Sequence, residues 1–291
     1  MTDLAGVRRA FAEKLAADRG IESPRVVAAF AAVPREDFLV PGPWLVLADE
    51  SGYRSTPDAD PRRLYHDMAV AIDASRVLNN GAPGLLARVF DRLALREGET
   101  LAHIGCAVGY FSAILAEIVG PRGRVIAVEL DPELCERARH HLRRWPQVEV
   151  RHADGTKEPR EAVDVVWVHG GVTHPQPRWL EAVPPGGRVG LPITAVRPPS
   201  RIRRVVRDHA GRFLFLERRP TGFAARFDQT CGMTALLGGR DAKLQERLRQ
   251  AYERGGTSTV RSFRTEPHAE DASCWMHQDG GCLSRLALEP E

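Results

Sequence analysis

Hydrophobic and polar positions along the middle of this chain alternate in blocks that predict strands and helices in turn. Residues 101–104 form a short apolar run typical of a buried strand, and residues 110–119 carry apolar side chains at helical spacing. A second apolar run, 125–128, ends on the acid Glu129. A strand, a turn of small residues, a helix and a strand ending in an acid together predict a βαβ nucleotide-binding unit.

The same alternation continues beyond Glu129 and sets the fold class. It predicts a helix after Asp131-Pro132 and further strands at 148–152, 163–168 and 189–192. The pattern then predicts an antiparallel hairpin between Ile202–Arg207 and Phe213–Glu217. We therefore expect an α/β protein with a doubly wound, mostly parallel, seven-stranded sheet that finishes in antiparallel strands.

The flanks of this core have a different character. Helical patterns cover Leu4–Ala17 and 23–33, whereas residues 45–66 are polar and rich in turn residues, which predicts a loop. The pattern predicts a surface helix over residues 241–254, and the last 37 residues are polar and weakly patterned. We divide the chain into 1–80 (N-terminal helices and a loop on the ligand side), 81–237 (nucleotide-binding core) and 238–291 (C-terminal extension).

Composition excludes several classes of function. The formal net charge of +3 over 291 residues gives no reason to expect a nucleic-acid partner. No apolar run approaches the length of a membrane span, and the N-terminus lacks the apolar core of a signal peptide, so we expect a cytoplasmic protein without membrane contact.

The cysteines and late histidines raise the question of a metal. Five scattered cysteines argue against a disulfide framework. Zinc sites usually show close ligand pairs, and in this set only Cys274 and His277 lie three residues apart. We therefore predict no metal, and expect the Cys-, Trp- and Gly-containing tail to pack on the core. The set comprises Cys231, His268, Cys274, His277 and Cys282.

The turn of the βαβ unit narrows the class of nucleotide. A dinucleotide fold has three glycines in G-x-G-x-x-G, whereas this turn reads Gly105-x-Ala107-x-Gly109 and is followed by the bulky Tyr110. No Walker lysine is present, which disfavours a nucleoside triphosphate. Glu129, about 20 residues after the turn, is placed to accept the two ribose hydroxyls of an adenosine.

This turn, with acids at Glu129 and Asp154 after successive strands, resembles the cofactor site of S-adenosylmethionine-dependent methyltransferases. On a wider view, residues 5 to 230 resemble the protein-L-isoaspartate O-methyltransferase family. The matching segments are VPREDFLVP (33–41), YHDMAVAID (65–73), the Ala82-Pro83 pair, IGCAVGYFSAILAEIVGPRGRVIAVE (104–129), DGT (154–156), VDVVWVHGG (163–171) and PPGGRVGLPI (184–193). The resemblance implies a class I, Rossmann-like methyltransferase fold with a reordered C-terminal strand, and S-adenosylmethionine as methyl donor.

The resemblance also implies roles for individual residues of the cofactor site. Gly105, Ala107 and Gly109 would line the methionine and ribose side, Glu129 would take the ribose hydroxyls, and Asp154-Gly155 would lie beside the adenine. His103 stands where the family usually has a glutamate, and we expect it to orient backbone near the methionine moiety. The full set implied is His103, Gly105, Cys106, Ala107, Gly109, Tyr110, Glu129, Leu130, Asp154 and Gly155.

The acceptor side departs from the family pattern. Family members usually carry a Gln-Thr-Ile-Ser-type run before the Ala/Gln-Pro pair, and its hydroxyls face the isoaspartyl carboxylate. This chain has Leu78-Asn79-Asn80-Gly81 there, so the serine position is Gly81. Asn79 and Asn80 become the first candidates for acceptor contacts, because an amide offers both donors and an acceptor. A plain turn before the helix that begins at Pro83 is the alternative.

Three further residues are candidates for the chemistry. Asp67 could pair with the sulfonium or a substrate cation, or be a helix cap. His169 and His174 could act as general bases for an acceptor that must lose a proton, or be hydrogen-bonded within their loop. A carboxylate acceptor would need no base, since it is ionised at neutral pH.

The leading hypothesis is thus a methyltransferase related to isoaspartyl methyltransferases but altered at the acceptor. Its substrate would be a carboxylate or another side chain of a peptide or protein, with a small metabolite as a further option. Two alternatives are an N-methyltransferase of a peptide or metabolite, and a cofactor-binding module without catalysis. The sequence does not indicate the oligomeric state.

Overall fold

The computed structural model describes residues 3–49, 52–196, 209–278 and 280–288. The chain folds as two compact units that divide between Ala153 and Asp154. The α-helices of the described residues are α1 (Leu4–Arg19), α2 (Pro24–Ala32), α3 (Pro83–Arg92), α4 (Tyr110–Val119), α5 (Pro132–Leu142), α6 (Pro177–Ala182) and α7 (Ala242–Arg254). Among them, none has both the length and the apolar character that crossing a membrane requires.

The strands carry the rest of the regular structure. They are β1 (Leu45–Asp49), β2 (Gly52–Ser55), β3 (Ala71–Asp73), β4 (Leu78–Asn79), β5 (Thr100–Ile104), β6 (Arg124–Glu129), β7 (Val148–His152), β8 (Val165–Val168), β9 (Arg188–Val196), β10 (His209–Arg219), β11 (Gly222–Gly232), β12 (Ser262–Arg264), β13 (Cys274–Gln278) and β14 (Gly281–Ser284).

The first two helices have the ends that their sequence predicts. The Asp3 carboxylate accepts a hydrogen bond from Gly6 N at the start of α1, and Gly20 ends the helix in the left-handed conformation. Ser23 caps α2, whose first residue is Pro24. Both helices were expected from apolar spacing, and both are confirmed.

The first unit contains the predicted βαβ frame. Strands β5, β6 and β7 are parallel and neighbour one another in that order, with Thr100 opposite Arg124 and Val125 opposite Val148. Helix α4 connects β5 to β6, and α5 connects β6 to β7. Since α4 is buried at almost every position, it lies inside the unit, as its continuous apolar character requires.

The region 45–66, expected to be a loop, instead contains a hairpin. Strands β1 and β2 pair antiparallel, with Leu45 opposite Ser55 and Leu47 opposite Tyr53. Trp44 and Val46 are buried in a small cluster with two other apolar residues, Leu64 and Val70. Turn residues dominate the composition of this stretch, and they concealed the apolar run that starts at Trp44.

The second unit begins with parallel strands and continues antiparallel. Strand β9 is parallel to β8 and antiparallel to β10, and β10 pairs with β11. The expected hairpin is therefore shifted. Phe213–Glu217 is a strand as predicted, and it pairs with β11 across a turn at 220–221. Ile202–Arg207, which was expected to be its partner in the hairpin, lies outside the described residues.

The C-terminal extension has more structure than its weak pattern indicates. Helix α7 begins after Asp241, whose carboxylate accepts hydrogen bonds from Lys243 N and Leu244 N. Three short strands then extend the antiparallel part in the order β11-β12-β14-β13. Trp275 is buried with its ring centroid 5.1 Å from that of Phe227, so the predicted packing of the tail is confirmed within this unit.

Candidate functional site

The turn between β5 and α4 is fixed by its backbone. Gly105, Ala107 and Gly109 all have positive φ, at 79°, 49° and 92°. The N–H groups of Gly105 and Cys106 both donate to the carbonyl of Val128, at 2.8 and 3.0 Å. A left-handed conformation is uncommon for alanine, so it is the surrounding hydrogen bonds that hold Ala107 in this shape.

Gly109 has a steric role as well as a conformational one. A Cβ atom built at this position would lie 2.7 Å from Cδ1 of Leu142, on α5. Only glycine lets the start of α4 approach α5 this closely. Since Gly109 precedes the first residue of α4 and carries no side chain, no side chain caps the helix there. The start of α4 is therefore approached only by backbone at Gly109, and a helix N-terminus is the end of a helix that suits an oxygen-rich ligand.

Glu129, at the end of β6, organises the other side of this turn. Its Oε2 accepts a hydrogen bond from Ala107 N at 2.8 Å, and its Oε1 accepts from Leu130 N and Asp131 N at 2.9 and 3.0 Å. A carboxylate has about four lone-pair sites, so acceptor capacity remains for a ligand hydroxyl. Leu130, the next residue, is 40% exposed and offers an apolar surface beside that carboxylate. This combination fits a ribose diol next to a flat base.

Three of the residues expected at the cofactor lie behind the turn. His103 is fully buried, and its Nδ1 lies 2.8 Å from Ser112 Oγ on α4, which joins β5 to that helix. Cys106 is buried, and burial together with the Glu129 charge raises the pKa of its thiol well above the ordinary value. Tyr110 is buried with its ring centroid 5.5 Å from that of Phe38, and burial raises its pKa to about 12. Their side chains therefore shape the turn from inside the unit.

One support of the turn was missed by sequence reasoning. His141 Nδ1, on α5, donates a hydrogen bond to the carbonyl of Val108 at 2.9 Å. Burial lowers the pKa of His141, against the opposing effect of its hydrogen bond to Val108. A histidine on an amphipathic helix carries no sequence signal for this role, because its partner lies 33 residues away.

Asp154 and Gly155 belong to the second unit. The Asp154 carboxylate accepts hydrogen bonds from Thr156 N and Oγ1, at 3.0 and 2.7 Å, and lies 3.3 Å from Lys157 Nζ. These contacts, led by the Thr156 hydroxyl, lower the pKa of Asp154. Trp179 Nε1 donates to the Gly155 carbonyl at 2.9 Å. The pair is thus held rigidly, and its expected place beside an adenine stays a prediction.

The acceptor candidates lie on and after β4 in the first unit. Asn79 Oδ1 accepts from Gly81 N at 3.0 Å, and its Nδ2 donates to the Tyr53 hydroxyl at 3.1 Å. Gly81 has φ of 76°, a conformation that a serine adopts only with strain. The backbone at this position therefore favours glycine over a residue with a side chain.

Asn80 is buried and is oriented by Arg35. Its Oδ1 accepts hydrogen bonds from Arg35 Nη2 at 2.9 Å and from Val70 N at 3.0 Å. Both partners are donors, so the amide cannot be flipped, and Nδ2 must point the other way. Nδ2 is buried and has no hydrogen-bond partner among the described residues. A buried donor left unpaired costs about 1–3 kcal/mol, so this amide is suited to a ligand oxygen.

Arg35 is the second residue that sequence reasoning missed. Its guanidinium is fully buried and donates to the carbonyls of Leu64 and Met68 at 2.9 and 2.7 Å, besides Asn80. Burial lowers its pKa from the ordinary value. The available signal was a cation inside the proline-containing run VPREDFLVP, next to two acids and flanked by apolar residues. Arg35 thus connects the loop after β2 to residues 78–81, which contain the candidates for acceptor contacts.

Asp67 has structural partners on both carboxylate oxygens. Oδ2 accepts from Arg19 Nε at 3.0 Å, and Oδ1 accepts from Gly84 N at 2.7 Å, in the first turn of α3. A Cβ on Gly84 would collide with this carboxylate, at 2.4 Å. These contacts favour the helix-cap alternative for Asp67, and its pairing with the sulfonium or a substrate cation stays a prediction.

The two histidines after β8 are poor general bases near neutral pH. Burial lowers the pKa of His169 to about 4 and also lowers the pKa of His174. His174 Nε2 lies 3.2 Å from Gln176 Nε2, which can only donate, and His174 Nδ1 lies 2.9 Å from Thr173 Oγ1. Both nitrogens of His174 are thus used within its own loop, which favours the structural alternative for this residue.

Comparison with known proteins agrees with this frame. A sequence model of the protein-L-isoaspartate(D-aspartate) O-methyltransferase (PCMT) family matches residues 7–225. A protein-L-isoaspartate O-methyltransferase of Methanopyrus kandleri is 31% identical over 191 residues, covering 64% of this chain and 76% of the relative. The enzyme of the same name from Syntrophotalea carbinolica is 29% identical, over 72% of this chain and 88% of its own.

Solved structures show the same fold. A protein-L-isoaspartate O-methyltransferase superposes with a TM-score of 0.62 at 21% identity, covering 89% of this chain and 72% of its own. A Plasmodium falciparum protein described by the same activity, in complex with S-adenosyl-L-homocysteine, superposes with a TM-score of 0.58 at 14% identity. The match covers 79% of this chain and 97% of that protein. The expected class I, Rossmann-like α/β fold is confirmed, and the cofactor is S-adenosylmethionine. The chain belongs to the protein-L-isoaspartate(D-aspartate) O-methyltransferase family and is a methyltransferase.

Proposed function

We propose that this protein methylates a carboxylate of a peptide or protein, at an acceptor site that has been altered from that of the isoaspartyl enzymes. The observation that carries the proposal is the buried Nδ2 of Asn80, which has no partner among the described residues while Oδ1 is held by Arg35. An amide N–H group fixed in this way is a donor for an acceptor oxygen. The acceptor carboxylate would then become the partner of Nδ2.

The candidate site residues of the first unit would each take a part in this reaction. When bound, S-adenosylmethionine supplies an electrophilic methyl group on a sulfonium. The carboxylate of Glu129 would accept the ribose hydroxyls, and the turn from Gly105 to Gly109 would line the methionine side. Asn80 would orient the acceptor carboxylate, so that one of its oxygens faces the methyl group. Positioning of this kind supplies much of the rate enhancement in a displacement reaction.

The properties of the histidines support a carboxylate over a nitrogen acceptor. An ammonium or amide nitrogen must lose a proton before or during transfer, which requires a base matched to neutral pH. His169, with a pKa near 4, and His174, with both nitrogens hydrogen-bonded, do not meet this requirement. A carboxylate is already ionised and needs no such group.

The test uses methyl-labelled S-adenosylmethionine with three peptides that differ only at one residue: isoaspartate, aspartate or glutamate. We expect label that alkali releases as methanol, because methyl esters are base-labile. Label that survives alkali would show N-methylation instead. Tight binding of S-adenosylhomocysteine without transfer to any peptide or metabolite would indicate a binding module. Efficient esterification of the isoaspartyl peptide alone would show that the sequence at residues 78–81 has not changed the substrate from that of the isoaspartyl enzymes.

Asn80→Asp tests the acceptor role directly. This variant keeps an oxygen for Arg35 and Val70 N but replaces the two N–H donors with an oxygen. Loss of a hydrogen bond to a charged group costs about 1.5–3 kcal/mol, so kcat/KM for the peptide should fall roughly 10- to 150-fold. Cofactor affinity should stay the same. Asn79→Asp is the matched variant, and a smaller effect is expected because Tyr53 already occupies its Nδ2.

A further inference from the structure

The C-terminal extension collects four side chains that bind soft metals. His268, Cys274, His277 and Cys282 each offer one ligand atom, and these atoms all lie within 4.8 Å of one another. Both cysteines are buried, and both histidines are half-buried. The prediction of no metal, made because close ligand pairs are lacking in the sequence, overlooked this cluster. Cys231, the fifth member of the expected set, does not belong to it.

Strand pairing explains how distant residues meet here. His277 on β13 lies directly opposite Cys282 on β14, so their side chains share one face of the hairpin. Cys274 and His277 are three residues apart and would point to opposite faces of a regular strand. An irregularity of the β-bulge type between Cys274 and Met276 shifts the register by one residue and returns both side chains to the same face.

Two of the distances between the ligand atoms match tetrahedral zinc coordination. At Zn–S and Zn–N bond lengths of about 2.3 and 2.05 Å, tetrahedral angles place a sulfur and a nitrogen ligand about 3.6 Å apart. Cys274 Sγ lies 3.6 Å from His268 Nε2 and 3.8 Å from His277 Nδ1. These separations lie in the range of weak hydrogen bonds to sulfur, and they also suit the edges of a coordination tetrahedron.

The group around His268 is also arranged as in zinc sites. His268 Nδ1 lies 2.8 Å from the carbonyl oxygen of Glu266, to which it donates. This hydrogen bond fixes the neutral tautomer whose Nε2 carries a lone pair, and Nε2 is the atom that faces Cys274. A ligating histidine usually donates its other N–H to a carbonyl or carboxylate in this way.

We propose that His268, Cys274, His277 and Cys282 bind one Zn²⁺ ion as a closed, four-coordinate structural site. Two thiolates and two imidazoles in a tetrahedron select zinc among the common divalent cations, and four protein ligands leave no position for water or substrate. The ion joins the loop after β12 to the β13–β14 hairpin. These strands are only three to five residues long, and a metal staple stabilises such small elements.

The test is the zinc content of the full-length protein, purified without a metal-affinity tag and measured by elemental analysis. We expect close to one zinc per chain. Cys274→Ser and Cys282→Ser should lose it, and Cys231→Ser is the matched control that should retain it. Wild-type protein stripped with a chelator and titrated with Co²⁺ should show the visible absorption of tetrahedral cobalt and a thiolate charge-transfer band. This second measurement does not depend on the folding of any variant.

Three results would overturn the proposal. The first is wild-type protein that holds no zinc and gives no tetrahedral cobalt spectrum. The second is zinc that remains at full stoichiometry in both Cys→Ser variants, since the ion would then be bound elsewhere. The third is a disulfide between Cys274 and Cys282 in protein purified under reducing conditions, detected by mass spectrometry after alkylation. None of these readouts depends on methyl transfer, so the site is tested separately from the proposed reaction.

Discussion

Glu129→Gln gives a sharp test of the cofactor frame. The substitution preserves shape and removes one negative charge. If the remaining carbonyl oxygen stays with Leu130 N and Asp131 N, the new NH₂ group faces Ala107 N, so that two donors oppose each other where a 2.8 Å hydrogen bond now lies. Ala107 has φ of 49°, and this contact is one of those that hold it there.

The expected magnitude follows from the bonds that are lost. Hydrogen bonds to a charged group contribute about 1.5–3 kcal/mol each, and a ligand hydroxyl that loses its carboxylate partner loses a bond of this kind. We therefore expect the Kd for S-adenosylhomocysteine to rise roughly 10- to 150-fold. Isothermal titration calorimetry at pH 7.5 measures this change, and urea unfolding of the unliganded variant checks that the fold persists.

Glu133→Gln is the matched control for charge. Glu133 is exposed in the first turn of α5, four residues beyond Glu129, and the substitution changes the net charge equally. Its effect on the Kd should stay within twofold. The assignment of Glu129 to the cofactor is refuted if the two variants bind S-adenosylhomocysteine with the same affinity while both remain folded.

The remaining predictions concern stability and a structural carboxylate. Gly109→Ala should destabilise the protein by about 2–4 kcal/mol, because the new side chain adds left-handed strain and overlaps Leu142. Gly20→Ala adds left-handed strain in open space, so it should destabilise the protein by only about 1–2 kcal/mol. Urea unfolding of the two variants measures both free energies. His169 has a folded pKa of about 4 against 6.5 when unfolded, so its contribution to stability is complete above pH 6.5. That contribution falls by up to about 1.4 kcal/mol per pH unit as pH drops from 6.5 to 4, and unfolding of His169→Gln should lack this slope. Asp67→Asn should lower stability by about 1 kcal/mol and leave kcat within threefold, whereas a large loss of kcat in folded protein would restore its catalytic role.

Local sequence was sufficient for the helices and the central turn. Asp3, Ser23 and Gly20 mark helix ends because capping depends on residues only a few positions apart. The run from Thr100 to Glu129 predicted its own strand, turn, helix and strand, because apolar periodicity and small residues act within one βαβ unit. The hairpin β1–β2 was missed, since turn residues outnumber the apolar ones in that stretch.

The alternating pattern of the sequence predicted the fold class. The resemblance of its small-residue turn and the acids after it to methyltransferase cofactor sites predicted the methyl donor, because those residues lie close together along the chain. The tertiary structure decided the rest. Arg35 reaches Asn80 across 45 residues, and only their contact shows that one face of the amide is fixed and the other has no partner among the described residues. The cluster around Cys274 depends on a bulge and on pairing between strands. Register and long-range contact are properties of the folded chain, and spacing along the sequence does not encode them in a readable form.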